Sequence, residues 1–276
     1  MESLKAHLEK VRDGHRSFEN AFQSVARMIL ESGFEKVTVN GKTTYDFNIF
    51  RQVRKHIVGM YDEINSFVSY VKDASEGGSS KEMAFVLVGE PGNGKTFFVD
   101  FLCAKYREFL SREVNAKYTF RFRTLERLEN YGQIRIIESQ AYEDPTILAM
   151  NLFAGSNGRN ADYLGAEIGF SDAQIDALFQ NYRPLGACSG YIWNDINMFF
   201  DGDIDAMLDF VEVVPVPLVE SMGTITGKYP AKDKITSSAV DLLGEESIQR
   251  LLHITDTNNP YRFDLRRGTL ARVAGG

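Results

Sequence analysis

Residues 89–96 read Gly-Glu-Pro-Gly-Asn-Gly-Lys-Thr, which fits the phosphate-cradling pattern G-x-x-x-x-G-K-[ST]. Ahead of it stands Ala84-Phe85-Val86-Leu87-Val88, a short apolar run suited to a buried parallel strand. Behind it, Phe97-Phe98-Val99-Asp100-Phe101-Leu102-Cys103 runs without Gly or Pro, as a helix should. Strand, glycine loop and helix are the context the pattern needs. The bare octapeptide should occur by accident in roughly 1 chain in 100 of this length, so the flanks carry part of the case.

The residue types follow from the chemistry. Gly89, Gly92 and Gly94 allow positive φ, so that successive N–H groups converge on phosphate oxygens. A helix starting near Lys95 adds the positive end of its dipole. Lys95 is expected to reach the β- and γ-phosphates, and the Thr96 hydroxyl to coordinate Mg²⁺. The candidate nucleotide contacts are Gly89, Glu90, Pro91, Gly92, Asn93, Gly94, Lys95, Thr96 and Phe97. ATP and Mg²⁺ are the expected cofactors.

These 276 residues suffice for one large α/β domain or two small ones, and 43% hydrophobic residues support a core. The net charge of −7 argues against non-specific nucleic-acid binding. No apolar stretch is long enough to span a membrane, and the charged N-terminus does not resemble a secretory signal. Cys103 and Cys188, the only two cysteines, have neither zinc nor disulfide spacing. A cytoplasmic setting is expected.

Leu4, Leu8, Val11, Phe18, Phe22, Val25 and Ile29 form an apolar stripe at steps of 3 and 4, with His15 in the one gap. A coiled coil competes here with an amphipathic helix, or two broken near Gly14; the few heptads favour the latter. A hairpin with an Asn40-Gly41 turn is expected over 37–45, and a helix over 60–74. Strands are expected near 117–122, 134–138 and 209–214, the last ended by Pro215 and Pro217. Helices are expected over 171–182, capped by Ser171, over 190–200, and near 245–253. A polar loop is expected over 223–236. The fold class implied is α/β: a P-loop NTPase with a doubly wound parallel sheet and an N-terminal helical extension. The expected division is a helical segment with a small hairpin over 1–45 and a P-loop ATPase domain over 46–276, incomplete at its C-terminus.

Hydrolysis needs a second motif, an apolar strand ending in acids that hold Mg²⁺. Ile134-Arg135-Ile136-Ile137-Glu138 is interrupted by Arg, and Met207-Leu208-Asp209-Phe210-Val211-Glu212 has its acids at the wrong spacing. Neither convinces. Arg266 and Arg267 are read as a solvated basic stretch ahead of a neighbouring nucleotide's contact. His56 and His253 are read as structural, and Trp193 as core or a partial anchor.

His56-Ile57-Val58-Gly59-Met60-Tyr61-Asp62-Glu63-Ile64 resembles the segment before the P-loop in AAA+ ATPases. That likeness implies adenine contacts at Val58 and Gly59. More narrowly, the chain resembles the N-terminal AAA+ part of PrkA-type serine protein kinases. The carrying stretches include Phe67-Val68-Ser69-Tyr70-Val71-Lys72, 138–145, Gly202-Asp203-Ile204-Asp205, Gly223-Thr224, Asp233-Lys234 and 268–276. The loop residues Glu90-Pro91-Gly92-Asn93 depart toward general AAA+ proteins.

The resemblance implies Mg-ATP binding, a protein client or phosphorylation substrate, and a homo-oligomer formed through the AAA+ domain. It places the Mg²⁺-site acids just beyond Gly276, so these residues alone are expected not to hydrolyse ATP. A remodelling ATPase and a nucleotide-gated scaffold remain competing outcomes. No Gly-rich hairpin, β3 Lys, catalytic-loop Asp or D-F-G of a eukaryotic-type kinase is present.

Overall fold

The N-terminal stripe folds as two separate helices. The strand β1 (Glu2–Ser3) leads into α1 (Leu4–Arg12), whose first turn is capped by the Ser3 hydroxyl accepting from the Ala6 N–H. Gly14, at φ +73°, follows the end of α1. The helix α2 (Ala21–Glu31) opens on a reciprocal capping box between Asn20 and Gln23. The computed structural model describes residues 2–51, 57, 59–122, 137–139, 142–152, 163–181, 203–219, 226–227, 239–246, 248–253 and 265–273. The expected helix over 190–200 lies outside the described residues, as does nearly all of the 223–236 loop.

Contacts divide the chain into two compact units, Glu19–Asn115 and Met1–Phe18 with Ala116–Gly276. In the first, α2 is followed by the hairpin of β2 (Phe34–Val39) and β3 (Lys42–Phe47), in register Phe34↔Phe47 to Val39↔Lys42. Asn40 and Gly41 sit at φ +49° and +77°, the left-handed pair that a two-residue hairpin turn of this hand requires. Next comes α3 (Tyr61–Ser75), which buries Ile64, Phe67, Val68 and Val71 on one side. The unit closes with α4 (Lys95–Leu110).

In the second unit, β4 (Tyr118–Phe122), β5 (Ile137–Glu138) and β6 (Val211–Pro215) join β1 in the order β1-β6-β4-β5. Every pairing is antiparallel, with Phe120 opposite Val213. The core joins Leu4 and Leu8 to Phe120, Phe122, Val211, Met207 and Leu164. Leu148 and Met150 add to it from α5 (Pro145–Leu152). Ser171 precedes α6 (Asp172–Asn181), and its N–H donates to Gln174 Oε1 at 3.0 Å. The helix α7 (Ile204–Leu208) leads into β6.

These sheets overturn the expected doubly wound parallel sheet. No parallel pairing occurs among the described strands. The run 84–88 joins no sheet: Val86 and Val88 are 71% and 91% exposed, and Phe85 packs on the rings of Phe67 and Tyr70. A central parallel strand buries both of its faces, whereas this segment lays one face on α3. No helix among the described residues is long and apolar enough to cross a membrane.

A polar cluster is set into the second unit. His7, 2% exposed, accepts at Nδ1 from Arg16 Nη1 at 2.7 Å, and its Nε2 lies 3.4 Å from Thr146 Oγ1. The Arg16 guanidinium covers the Tyr118 ring at 3.6 Å and donates to Glu2 at 2.7 Å.

Candidate functional site

The helix α4 spans 16 residues and begins at Gly94, whose φ is +74° and which offers no side-chain cap. The N–H groups of its first turn therefore have no intrahelical partner. Gly92 is also left-handed, at φ +91°. The loop is closed by the Asn93 N–H donating to Glu90 O at 3.3 Å, and the helix is entered by the Phe98 N–H donating to Gly94 O at 2.8 Å.

Lys95 turns back over this loop. Its ammonium donates to Gly89 O at 2.6 Å and to Glu90 O at 2.7 Å. No carboxylate pairs with it among the described residues, so the only negative charge it meets is carbonyl dipole. Residues 89–93 and Thr96 are exposed, leaving the loop and the Thr96 hydroxyl open to a ligand.

The rings behind the loop hold the helix in place. Phe98, 4% exposed, stacks on Phe50 at 5.8 Å and meets Phe67 edge-on at 5.3 Å. Phe101 packs on Phe50 as well. Phe97 is 42% exposed at the mouth. Sequence reasoning missed this aromatic anchor. Its signal was the i, i+3 spacing of Phe98 and Phe101 on one helix face.

The structure thus keeps Gly89 to Phe97 together as one continuous loop and first helical turn. Gly59 lies at φ +79° just ahead of α3, and Val58 lies outside the described residues. Among the described residues no group of three His, Cys, Asp or Glu could hold a metal. Thr96 carries the one hydroxyl of residues 89–96, the group that could ligate a Mg²⁺ held chiefly by phosphate oxygens and water.

Of the two sequence candidates for the second motif, only the one ending at Glu212 has its acid's side chain among the described residues. Glu138 is on β5, with 134–136 outside the described residues. Glu212 is 3% exposed and accepts from Arg121 Nε at 2.6 Å. Arg266 and Arg267 stand in the strand Leu265–Arg267, whose backbone register sets Arg266 opposite Glu245. His56 and Trp193 lie outside the described residues, as does the side chain of His253. Cys103 is half-buried on α4.

Gly94→Ala tests the loop's backbone. An added Cβ meets nothing within 4 Å, so its cost is conformational and not a clash. We expect a loss of about 1–2 kcal/mol, read by thermal or urea unfolding, from holding alanine at a left-handed φ. A neutral effect would mean that the loop readily leaves this conformation.

Comparison with protein-family models, with curated proteins and with solved structures found no match to this chain.

Proposed function

We propose that this chain binds Mg-ATP through residues 89–96. The observation that carries the proposal is Lys95: its ammonium rests on Gly89 O and Glu90 O, at the head of a helix without a side-chain cap. Two left-handed glycines shape that same turn. A triphosphate would take over the ammonium from the two carbonyls and accept from the free N–H groups of the helix start. The Thr96 hydroxyl would then complete the Mg²⁺ shell.

The resemblance of the segments around Gly59 and Phe67–Lys72 supports placing this nucleotide site in a PrkA-like serine protein kinase. Following the label of γ-phosphate-labelled ATP tests that finer reading. Label appearing on a protein serine supports it, and free phosphate alone overturns it in favour of a remodelling ATPase.

Isothermal titration with Mg-ATP, Mg-ADP and AMP tests the binding itself. Affinity should fall with each phosphate removed, AMP binding at least about tenfold more weakly than ATP. Thr96→Ala should weaken Mg-ATP by about tenfold while leaving metal-free ATP unchanged. Equal affinity for AMP and ATP would overturn the phosphate-loop assignment.

A further inference from the structure

We propose a second ligand site in the Glu19–Asn115 unit, a cleft of about 300 Å³ between the β2–β3 hairpin and α3, which takes a small aromatic anion: one or two flat rings bearing a carboxylate or sulfonate. It goes beyond the nucleotide reading and shares no residue with the 89–97 loop.

Three rings of the hairpin form its wall. Phe34 meets Tyr45 edge-on at 5.5 Å and Phe47 at 5.5 Å. Phe47 is buried, but Phe34 and Tyr45 remain 49% and 43% exposed. Val68 lines the cleft from α3, and half-exposed Leu30 lines it from the end of α2. Aromatic side chains left half-open beside a cavity of this size offer edges and faces to a flat apolar ligand.

The wall is fixed before any ligand arrives. Asn65 on α3 accepts the Tyr45 N–H at 3.2 Å and donates to Tyr45 O at 2.7 Å. It also donates to Tyr61 O at 2.8 Å. One side-chain amide thereby satisfies both main-chain groups of Tyr45 and ties the hairpin to the helix. The amide is spent on this, so it does not set the ligand's polarity.

Lys72 and Ser69 set the polarity. Both lie on α3 at the cleft and both are exposed. The Lys72 ammonium has only a loose partner, Glu76 at 3.9 Å, and both side chains are more than half exposed. Such a pair is weak and easily exchanged for a buried-side anion. No carboxylate lines the cleft itself. An apolar ring system with one anionic end therefore matches the apolar wall and the cationic rim together.

The test is titration with 2-naphthoate, followed by amide chemical shifts, against its uncharged analogue 2-naphthamide. We expect saturable one-to-one binding with Kd below about 1 mM, and shifts concentrated at Phe34, Tyr45 and Val68. Lys72→Glu, an exposed change that should leave the fold intact, should weaken 2-naphthoate at least tenfold and leave 2-naphthamide unchanged. Lys95→Ala should leave 2-naphthoate binding intact. The proposal is overturned by absence of saturable binding, by equal affinities of the acid and amide with no response to Lys72→Glu, or by loss of binding in Lys95→Ala.

Discussion

Lys95→Ala is expected to weaken Mg-ATP binding by about a hundredfold or more, as measured by calorimetric titration. A charge-assisted hydrogen bond to a phosphate oxygen contributes about 1.5–3 kcal/mol, and a hundredfold corresponds to about 2.7 kcal/mol. One ammonium reaching two phosphates supplies that amount. Against it stands the cost of leaving Gly89 O and Glu90 O, the partners it holds at 2.6 and 2.7 Å. That cost is small. Both residues are exposed, so water replaces the ammonium at each carbonyl once it moves.

The same exposure makes the variant a clean test. Removing Lys95 leaves no buried group unsatisfied, so global stability should change by less than about 0.5 kcal/mol. Lost affinity in a folded protein then reports the missing charge and not a collapsed loop. Wild-type affinity in Lys95→Ala would sink the nucleotide proposal, because Lys95 is the observation that carries it.

What the sequence made legible was local. Asn40-Gly41 specified its own turn, and 89–96 a glycine loop ahead of a helix. Each is a statement about residues within a few positions of one another. The sense of the sheet is not. Tyr118–Phe122 and Val211–Pro215 are short strand-forming segments that would suit either direction, and only a pairing across some ninety residues makes them antiparallel.

The segment 84–88 failed for a related reason. Its composition suits a doubly buried strand, but composition does not name a neighbour. Phe67 and Tyr70 of α3 took one face through Phe85, and Val86 and Val88 were left in solvent. The phosphate loop could be read because its residues are contiguous. The resting place of the Lys95 ammonium, the ring anchor at Phe50 and the cleft stitched by Asn65 could not, because each depends on a fold-level contact. His7 was hidden in the same way. It falls outside the stripe that drew attention to His15, yet its buried surroundings have a clear consequence for stability.

His7 should make the protein lose about 3 kcal/mol of stability as pH falls from 6.5 to 4. Burial drives its pKa down from the ordinary 6.5 to about 4, with Arg16 and Lys10 acting in the same direction and Asp144 and Glu2 opposing them. Arg16 donates to Nδ1, so that nitrogen must be unprotonated and the hydrogen sits on Nε2, toward Thr146. A second proton at Nδ1 would point at the arginine N–H only 2.7 Å away.

Above pH 6.5 the ring is neutral in both the folded and the unfolded chain, and stability does not depend on it. Between 6.5 and 4 the unfolded chain takes up the proton and the folded one does not, so stability falls as pH falls. Below 4 the folded ring also titrates, and this contribution has been lost in full. Two and a half pH units at about 1.4 kcal/mol each, less the partial titration at either end of the window, give the magnitude.

The informative quantity is a difference, because it cancels every contribution that does not pass through His7. Urea unfolding at several pH values, wild type against His7→Gln, isolates it. The two stability curves should run parallel above pH 6.5 and diverge below, the wild type falling faster. Parallel curves down to pH 4 would mean that His7 takes up its proton within the fold, which requires the Arg16 guanidinium to leave its place over Tyr118.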